Sequence, residues 1–305
     1  MAVPVSVIVP FYGTSQSRGL ELVAESILSQ KGVDIDFVVA GLQATTRVKN
    51  RFDLSRHPKE SVLEIVRTGA VLNNGLRLAT GDFVYITDAD ILLPNQHYLE
   101  GLVQESLFTG TSLKRPIMRR LLIQDFDWFY SMVFSKGLEN SITSLDTSQK
   151  YVVKPTGVER PMRVFPKFEN ERQKVFIASE KDFQDYISDE RNKGSEPRFF
   201  NQDRHCGTTF ASTDMLRDVG GYCEEFISWG VWDADVQWKL ESIGGMGLIP
   251  KSKDFEVIHL DHPREYFDKE KWDKDKGLQK IRRSQGYELS VKQDRLVYFG
   301  GKNGR

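Results

Sequence analysis

Residues 5–9, Val5-Ser6-Val7-Ile8-Val9, form an almost wholly apolar, β-branched run that Pro10 ends. A run of this kind marks a strand covered on both faces, which confines the chain to layered architectures with helices above and below a sheet. The next residues fit that frame. Leu20, Val23, Ala24, Ile27 and Leu28 recur at helical spacing within residues 20–30, and a second apolar strand over 35–40 follows a turn at Lys31-Gly32. Strand, helix and strand at this spacing predict a right-handed parallel crossover. Residues 61–66 read as a third strand, 70–79 as a short helix and 81–87 as a fourth strand. The expected fold class is α/β, a Rossmann-like, mostly parallel sheet flanked by helices. Ligands of such sheets bind beyond the carboxyl ends of the strands. The Pro10-Phe11-Tyr12 loop, the Ala40-Gly41 turn and the acids Asp88 and Asp90 all fall there.

Those acids follow an apolar strand, Phe83-Val84-Tyr85-Ile86, in the segment Thr87-Asp88-Ala89-Asp90. If the extended geometry persists, side chains repeat every second residue and both carboxylates point the same way. Two hard oxygen ligands on one edge leave most of the coordination sphere of Mg²⁺ or Mn²⁺ to water and phosphate oxygens. A spaced acid pair is by itself a weak motif, and a solvated turn is its plainest alternative. The apolar flank puts this pair at the lip of a core.

Composition narrows the classes. The chain has 305 residues, 39% hydrophobic and 28% charged, with no long apolar run, so a globular protein without a membrane span is expected. Its start carries no basic region followed by an apolar segment, which makes the cytoplasm the expected location. Cys206 and Cys223 lie in no paired-thiol motif and are expected to be buried, reduced thiols. A net charge of −1 gives no global drive towards nucleic acid. Two local clusters stand out, Lys114, Arg115, Arg119 and Arg120, then Lys280, Arg282 and Arg283. Solvated helix faces are the ordinary reading of such clusters, and a phosphate-rich acceptor is the other.

Four blocks of the chain resemble a known family. Val5 to Tyr12, Glu25-Ser26-Ile27-Leu28-Ser29-Gln30, Leu72-Asn73-Asn74-Gly75 with Ala79-Thr80-Gly81-Asp82, and Thr87 to Asp90 resemble the N-terminal half of family 2 glycosyltransferases of the GT-A fold. Gly220-Gly221-Tyr222-Cys223-Glu224-Glu225-Phe226 and Trp229-Gly230-Val231-Trp232-Asp233-Ala234-Asp235 resemble the C-terminal motif of animal-type galactosyl- and N-acetylgalactosaminyltransferases. His259-Leu260-Asp261-His262-Pro263 is similar to the histidine motif of that fold. The resemblance implies one GT-A domain: a nucleotide-sugar half over 1–107, a variable acceptor-side insert over 108–200, a catalytic and acceptor half over 201–263, and a helical extension over 264–305.

It also implies an inverting, metal-dependent transfer of a hexosyl or N-acetylhexosaminyl group from a nucleotide sugar, UDP-linked by family likeness, to a hydroxyl of a saccharide or glycoconjugate. Asp88, Asp90 and His259 are the expected ligands of Mn²⁺ or Mg²⁺. Pro10, Phe11, Tyr12, Gln43, Arg67, Asn73, Asp88 and Ala89 are the expected contacts of the nucleotide sugar. Gln43 enters because the family's acid at the end of the second strand is replaced here by Ala40-Gly41, and an amide offers a donor and an acceptor to a base edge. Asp233 is the expected base because it matches the family's base position, four residues after the motif Trp229, and a carboxylate in a partly apolar pocket has the raised pKa that the task needs. Trp229, Gly230, Trp232 and His262 are the expected sugar contacts. Trp232 replaces the family's Glu, and its ring would stack on a sugar face. Asp235 is expected to be structural.

Three other readings compete. A nucleotidyltransferase would want a Gly-rich basic loop after the first strand, which Phe11-Tyr12-Gly13-Thr14-Ser15 does not supply. A non-catalytic carbohydrate-binding descendant would have lost the acids. Transfer to a modified base of nucleic acid would use the cluster from Lys114 to Arg120 to track phosphates.

Overall fold

The computed structural model describes residues 2–11, 17–41, 46–48, 67–121, 126–144, 203–228, 230–260 and 268–300. The expected site residues Tyr12, Gln43, Trp229 and His262, the strand read at 61–66 and the stretch 145–200 lie outside the described residues.

The chain opens with β1 (Val3–Pro10), α1 (Ser17–Leu28), β2 (Val33–Ala40), β3 (Thr46–Val48), α2 (Thr68–Leu78) and β4 (Phe83–Ile86). It continues with β5 (Ile91–Leu92), α3 (Tyr98–Thr109), β6 (Ser112–Lys114), β7 (Ile117–Leu121), α4 (Phe126–Lys136) and α5 (Leu138–Ser144). The last part holds β8 (Asp203–Arg204), β9 (Thr209–Ser212), α6 (Thr213–Asp218), α7 (Trp232–Gly244), β10 (Met246–Leu248), β11 (Glu256–Leu260), α8 (Lys269–Gln285) and α9 (Tyr287–Gly300). The main sheet has the order β10-β6-β9-β4-β1-β2-β3. Within it β1, β2, β4, β6 and β10 run one way, while β9 and β3 run the other. The fold is therefore α/β, a mixed sheet of mostly parallel strands flanked by helices.

The alternation along β1 explains its apolar run. Val5, Val7 and Val9 enter one core with Leu20, Val23 and Ile27 of α1 and with Tyr98 and Leu102 of α3. Ile8 enters the other, with Val71, Leu72 and Leu76 of α2 and Val236 and Leu240 of α7. Ser6, the one polar residue in the run, is fully buried. Its hydroxyl donates to Asp36 at 2.8 Å and accepts from the N–H groups of Thr80 and Gly81. It thereby fixes the turn that feeds β4. A Cβ on Gly75 would come within 2.5 Å of Ile8, so glycine lets α2 approach β1.

A second sheet, in the order β5-β11-β7-β8, forms beside the first. Within the range read as an insert from 108, β6 belongs to the main sheet and β7 pairs with β11. These strands are too short to show periodicity in sequence. Neither cysteine is in a disulfide; Cys223 is buried as expected, whereas Cys206 is exposed.

The C-terminal helices do more than cover the outside. Arg282 is buried and donates two hydrogen bonds to Asp235, at 3.0 and 2.9 Å, and two to Asp294. Lys239 reaches the same Asp294 and the carbonyls of Val219 and Gly221. Arg282 is thus no part of a solvated basic face. Among the described residues no helix is long and apolar enough to cross a membrane.

Candidate active site

β4 ends at Ile86, and the chain then turns, with Ile91 N–H donating to the Asp88 carbonyl at 3.3 Å. The extended geometry does not persist beyond Ile86, and the two acids meet different partners. Asp88 meets His205, Nε2 to Oδ2 3.0 Å, and Asp90 meets His259, Nε2 to Oδ2 3.5 Å. Backbone pairing builds the second contact. β5 lies antiparallel to β11 with Ile91 opposite His259, and Leu260 N–H donates to the Asp90 carbonyl at 2.7 Å. A two-residue strand immediately after the acids thus brings in a histidine from far along the chain. Asp90 and His259 are both buried, at 6% and 8% exposure.

His205 was not foreseen. It is buried in the loop between β8 and β9, its N–H bonded to the Pro116 carbonyl and its Nδ1 2.7 Å from the Thr208 hydroxyl. Burial works against its charged form, but the hydrogen bond and charge of Asp88, with Asp90 and Asp233 further off, outweigh that and raise its pKa. Its loop is fitted round the carboxylate, since a Cβ on Gly207 would stand 3.0 Å from Asp88 Oδ2. The rings of His205 and His259 are 6.5 Å apart.

Asp233 lies in the first turn of α7 at 3% exposure. Burial is the main reason its pKa rises to about 7; the Ala234 N–H at 2.6 Å opposes the rise, the charge of Asp88 adds to it, and Arg115 and His205 lower it. The coupling to Asp88, His205 and Arg115 ties this carboxylate to the same cluster. Two residues on, Asp235 points to Arg282, as its expected structural role requires.

Among the described residues no three His, Cys, Asp or Glu side chains converge tightly enough to hold a metal ion by themselves. Of the expected set Asp88, Asp90 and His259, the last two face each other, while Asp88 meets His205. What remains together is the carboxylate and imidazole of Asp90 and His259. Oxygen plus imidazole nitrogen is a donor set that suits Mn²⁺, and Mg²⁺ less well.

The other expected residues fall as follows. Pro10 and Phe11 end β1, but the Phe11 side chain packs in the core at 4% exposure, where it offers no face to a base. Ala89 is buried between the two acids, and Arg67 is exposed just before α2. Asn73 is fully buried, and its amide is committed to the Tyr222 backbone on both sides and to Glu224. It ties α2 to the 221–224 loop. Gly230 is half-buried with φ +91°. Trp232 is 2% exposed, edge-on to Tyr222 with ring centroids 5.6 Å apart.

No family model matches the chain, and no curated protein matches it. Solved structures similar to it include the mannosyltransferase PcManGT from Pyrobaculum calidifontis in complex with GDP-Man and Mn²⁺, at 17% identity and TM-score 0.42, covering 86% of this chain and 58% of that one. The catalytic domain of Drosophila β1,4-galactosyltransferase 7 in complex with xylobiose is similar at 11% identity and TM-score 0.43, covering 90% of this chain and 79% of that one. TarS of S. aureus is similar at 14% identity and TM-score 0.45, covering 91% of this chain and 39% of that one. The chain thus spans 58% of the length of the mannosyltransferase and less than half of TarS.

Proposed function

We propose that this chain is an inverting, metal-dependent glycosyltransferase of the GT-A type, related to family 2, that moves a hexosyl or N-acetylhexosaminyl group from a nucleotide sugar, UDP-linked, to a hydroxyl of a saccharide or glycoconjugate. The observation that carries the reading is the buried carboxylate of Asp233, its pKa raised to about 7 mainly by burial, joined through His205 to the pairs Asp88–His205 and Asp90–His259. A general base works best with its pKa near the operating pH. Asp233 takes the proton of the acceptor hydroxyl as that oxygen attacks the anomeric carbon. The bond from that carbon to the diphosphate oxygen breaks, the nucleoside diphosphate departs with the electron pair, and the configuration inverts.

Asp90 and His259 would hold Mn²⁺ or Mg²⁺, which supplies neutralising charge for the departing diphosphate. Two protein ligands leave positions for phosphate oxygens, in keeping with the incomplete cage. Asp88, oriented by His205, is left to address the ribose or the diphosphate through its second oxygen. The basic cluster after β6 gives little support to transfer onto nucleic acid, because Arg115 turns to Gln237 and Lys114 to Glu241.

A donor panel tests the reading without knowledge of the acceptor. Purified protein with Mn²⁺ is incubated with UDP-glucose, UDP-galactose, their N-acetylhexosamine counterparts and GDP-mannose, and free nucleotide is measured. Slow hydrolysis of one donor, lost in Asp90→Ala, is expected. Absence of hydrolysis with every donor, together with absence of Mn²⁺-dependent nucleotide binding, would overturn the proposal.

A further inference from the structure

The last helix, α9, carries apolar side chains on its outer side. Ser290, Asp294 and Tyr298, four residues apart, are buried on its inner side. Leu289, Lys292, Leu296 and Phe299, at spacings of three and four, fall on the opposite side. Leu296 is 68% exposed and Phe299 53%, and Leu289 and Val297 are exposed as well. A surface helix ordinarily turns polar residues outwards, so an outward apolar stripe marks a face that something covers. A shallow groove runs along it, lined by Val291, Lys292, Arg295, Leu296 and Phe299 among others.

The helix is held so that this face stays outside. Asp294 is bonded to Arg282 and Lys239, and the Tyr298 carbonyl accepts from Arg77 at 3.3 and 3.2 Å. The backbone of α9 also lies close on Gly220, where a Cβ would stand 2.5 Å from the Arg295 nitrogen.

Charge selects the occupant. The surface acids of α8 are neutralised in place, Asp268 by Lys271, Glu270 by Lys274 and Asp273 by Lys269. On the outer side of α9, Lys292 and Arg295 have no carboxylate partner among the described residues. Arg295 rests on neutral groups, its guanidinium 5.7 Å from the Phe299 ring centre and 3.4 Å from the Asp218 carbonyl. Glu288 is the one acid of that face. Over 268–300 cations outnumber acids, in a chain whose net charge is −1. A second copy seated on this stripe would double the unbalanced charge. An anionic lipid surface would neutralise it while taking up the apolar side chains.

We propose that the outer face of α9 docks on a bilayer of anionic phospholipid, with Leu296 and Phe299 entering among the headgroups and Lys292 and Arg295 pairing with their phosphates. The attachment is peripheral, since it uses one face of a helix lying in the interface. It does not depend on the glycosyltransferase reading.

Cosedimentation of the full chain with vesicles of phosphatidylcholine plus phosphatidylglycerol, and of phosphatidylcholine alone, tests the proposal. Wild type is expected on the mixed vesicles only, and less of it as salt is added. Leu296→Ser with Phe299→Ser should weaken binding by about tenfold or more, because the buried apolar area is lost. Lys292→Gln with Arg295→Gln should weaken it by about tenfold, through loss of two charges near the surface. All four side chains are on the surface, so melting close to wild type is expected of both variants. No binding of wild type to the mixed vesicles, equal binding to phosphatidylcholine alone, or folded variants within about twofold of wild type overturns the proposal. A dimer in analytical ultracentrifugation that Leu296→Ser with Phe299→Ser abolishes would give the face to a second copy, and would overturn it too.

Discussion

The first turn of α7 carries two buried carboxylates with opposite surroundings. Asp235 looks towards the C-terminal helices and meets a bidentate guanidinium from Arg282, which Asp294 and Lys239 complete as a buried network of balanced charge. Asp233 lies by Asp88, past the end of β4, where its near neighbours include that carboxylate and its close donor among the described residues is the Ala234 N–H. One side is arranged to hold charge fixed, the other to let charge change. Burial alone does not decide between scaffold and chemistry; the partner does. A buried ion pair is weak evidence for stability but costly to break, while a desolvated lone carboxylate is a standing cost that only function explains.

The largest effect that would break this contrast is Asp233→Asn. The amide is nearly isosteric and can still accept from Ala234, so the fold should persist while transfer falls by about 10²–10⁴-fold, the usual worth of a general base. Nucleotide binding should hardly move. Initial rates with the donor found in the panel, set against calorimetric Kd values, check it. Transfer at the normal rate would remove Asp233 from the role of base.

On the other side of the helix turn, Arg282→Met should act on stability. It leaves Asp235 and Asp294 buried without their guanidinium, a loss expected to cost about 3–5 kcal/mol. Urea denaturation measures it. A loss below about 1 kcal/mol would mean that the C-terminal helices are anchored by apolar contact alone, and the contrast between the two carboxylates would lose one of its arms.

The contrast also predicts a pH signature. Asp233 titrates near 3.8 unfolded and at about 7 folded. Its contribution to stability is fully present below pH 3.8 and is lost as pH rises through about 7, because the unfolded chain releases the proton first. Relative to wild type, Asp233→Asn should therefore gain stability between those limits, by at most about 4 kcal/mol, and the gain should level off above them. Activity should fall on the acid side with an apparent pKa near 7, as the base becomes protonated. Denaturation midpoints across that range test the first statement and kcat/KM the second. A flat difference between variant and wild type would sink both.

How far the sequence carried these points depends on how local each cause is. β1, α1 and β2 were legible because strands buried on both faces leave continuous apolar runs and a helix repeats its apolar stripe. Boundaries extended by only a few residues: β1 runs Val3–Pro10 where residues 5–9 were read. Alternation could not place Asp88 and Asp90, since it applies only while the strand lasts, and β4 stops two residues before Asp88. The burial of Trp232 had no local signal either, because which way a helix turn faces is set by the core it packs on. His205 had no local signal at all. Its partner Asp88 lies 117 residues away, and no period or spacing encodes that meeting.

His205 also offers the finest test. If it only fills space, His205→Gln should leave nucleotide affinity unchanged, since glutamine is of similar size and can still donate to Asp88. If it orients Asp88 towards the nucleotide, the shorter, more mobile amide should weaken binding of UDP with Mn²⁺ by about tenfold at most, with little change in the hydrolytic kcat. Asp88→Asn should weaken it as well, and the double variant should be no worse than the poorer single one, because both remove the same contact. Additive losses would show that His205 and Asp88 act on the ligand independently. The cluster would then divide at Asp88, leaving Asp90 with His259 as the only pair in it that works as a unit.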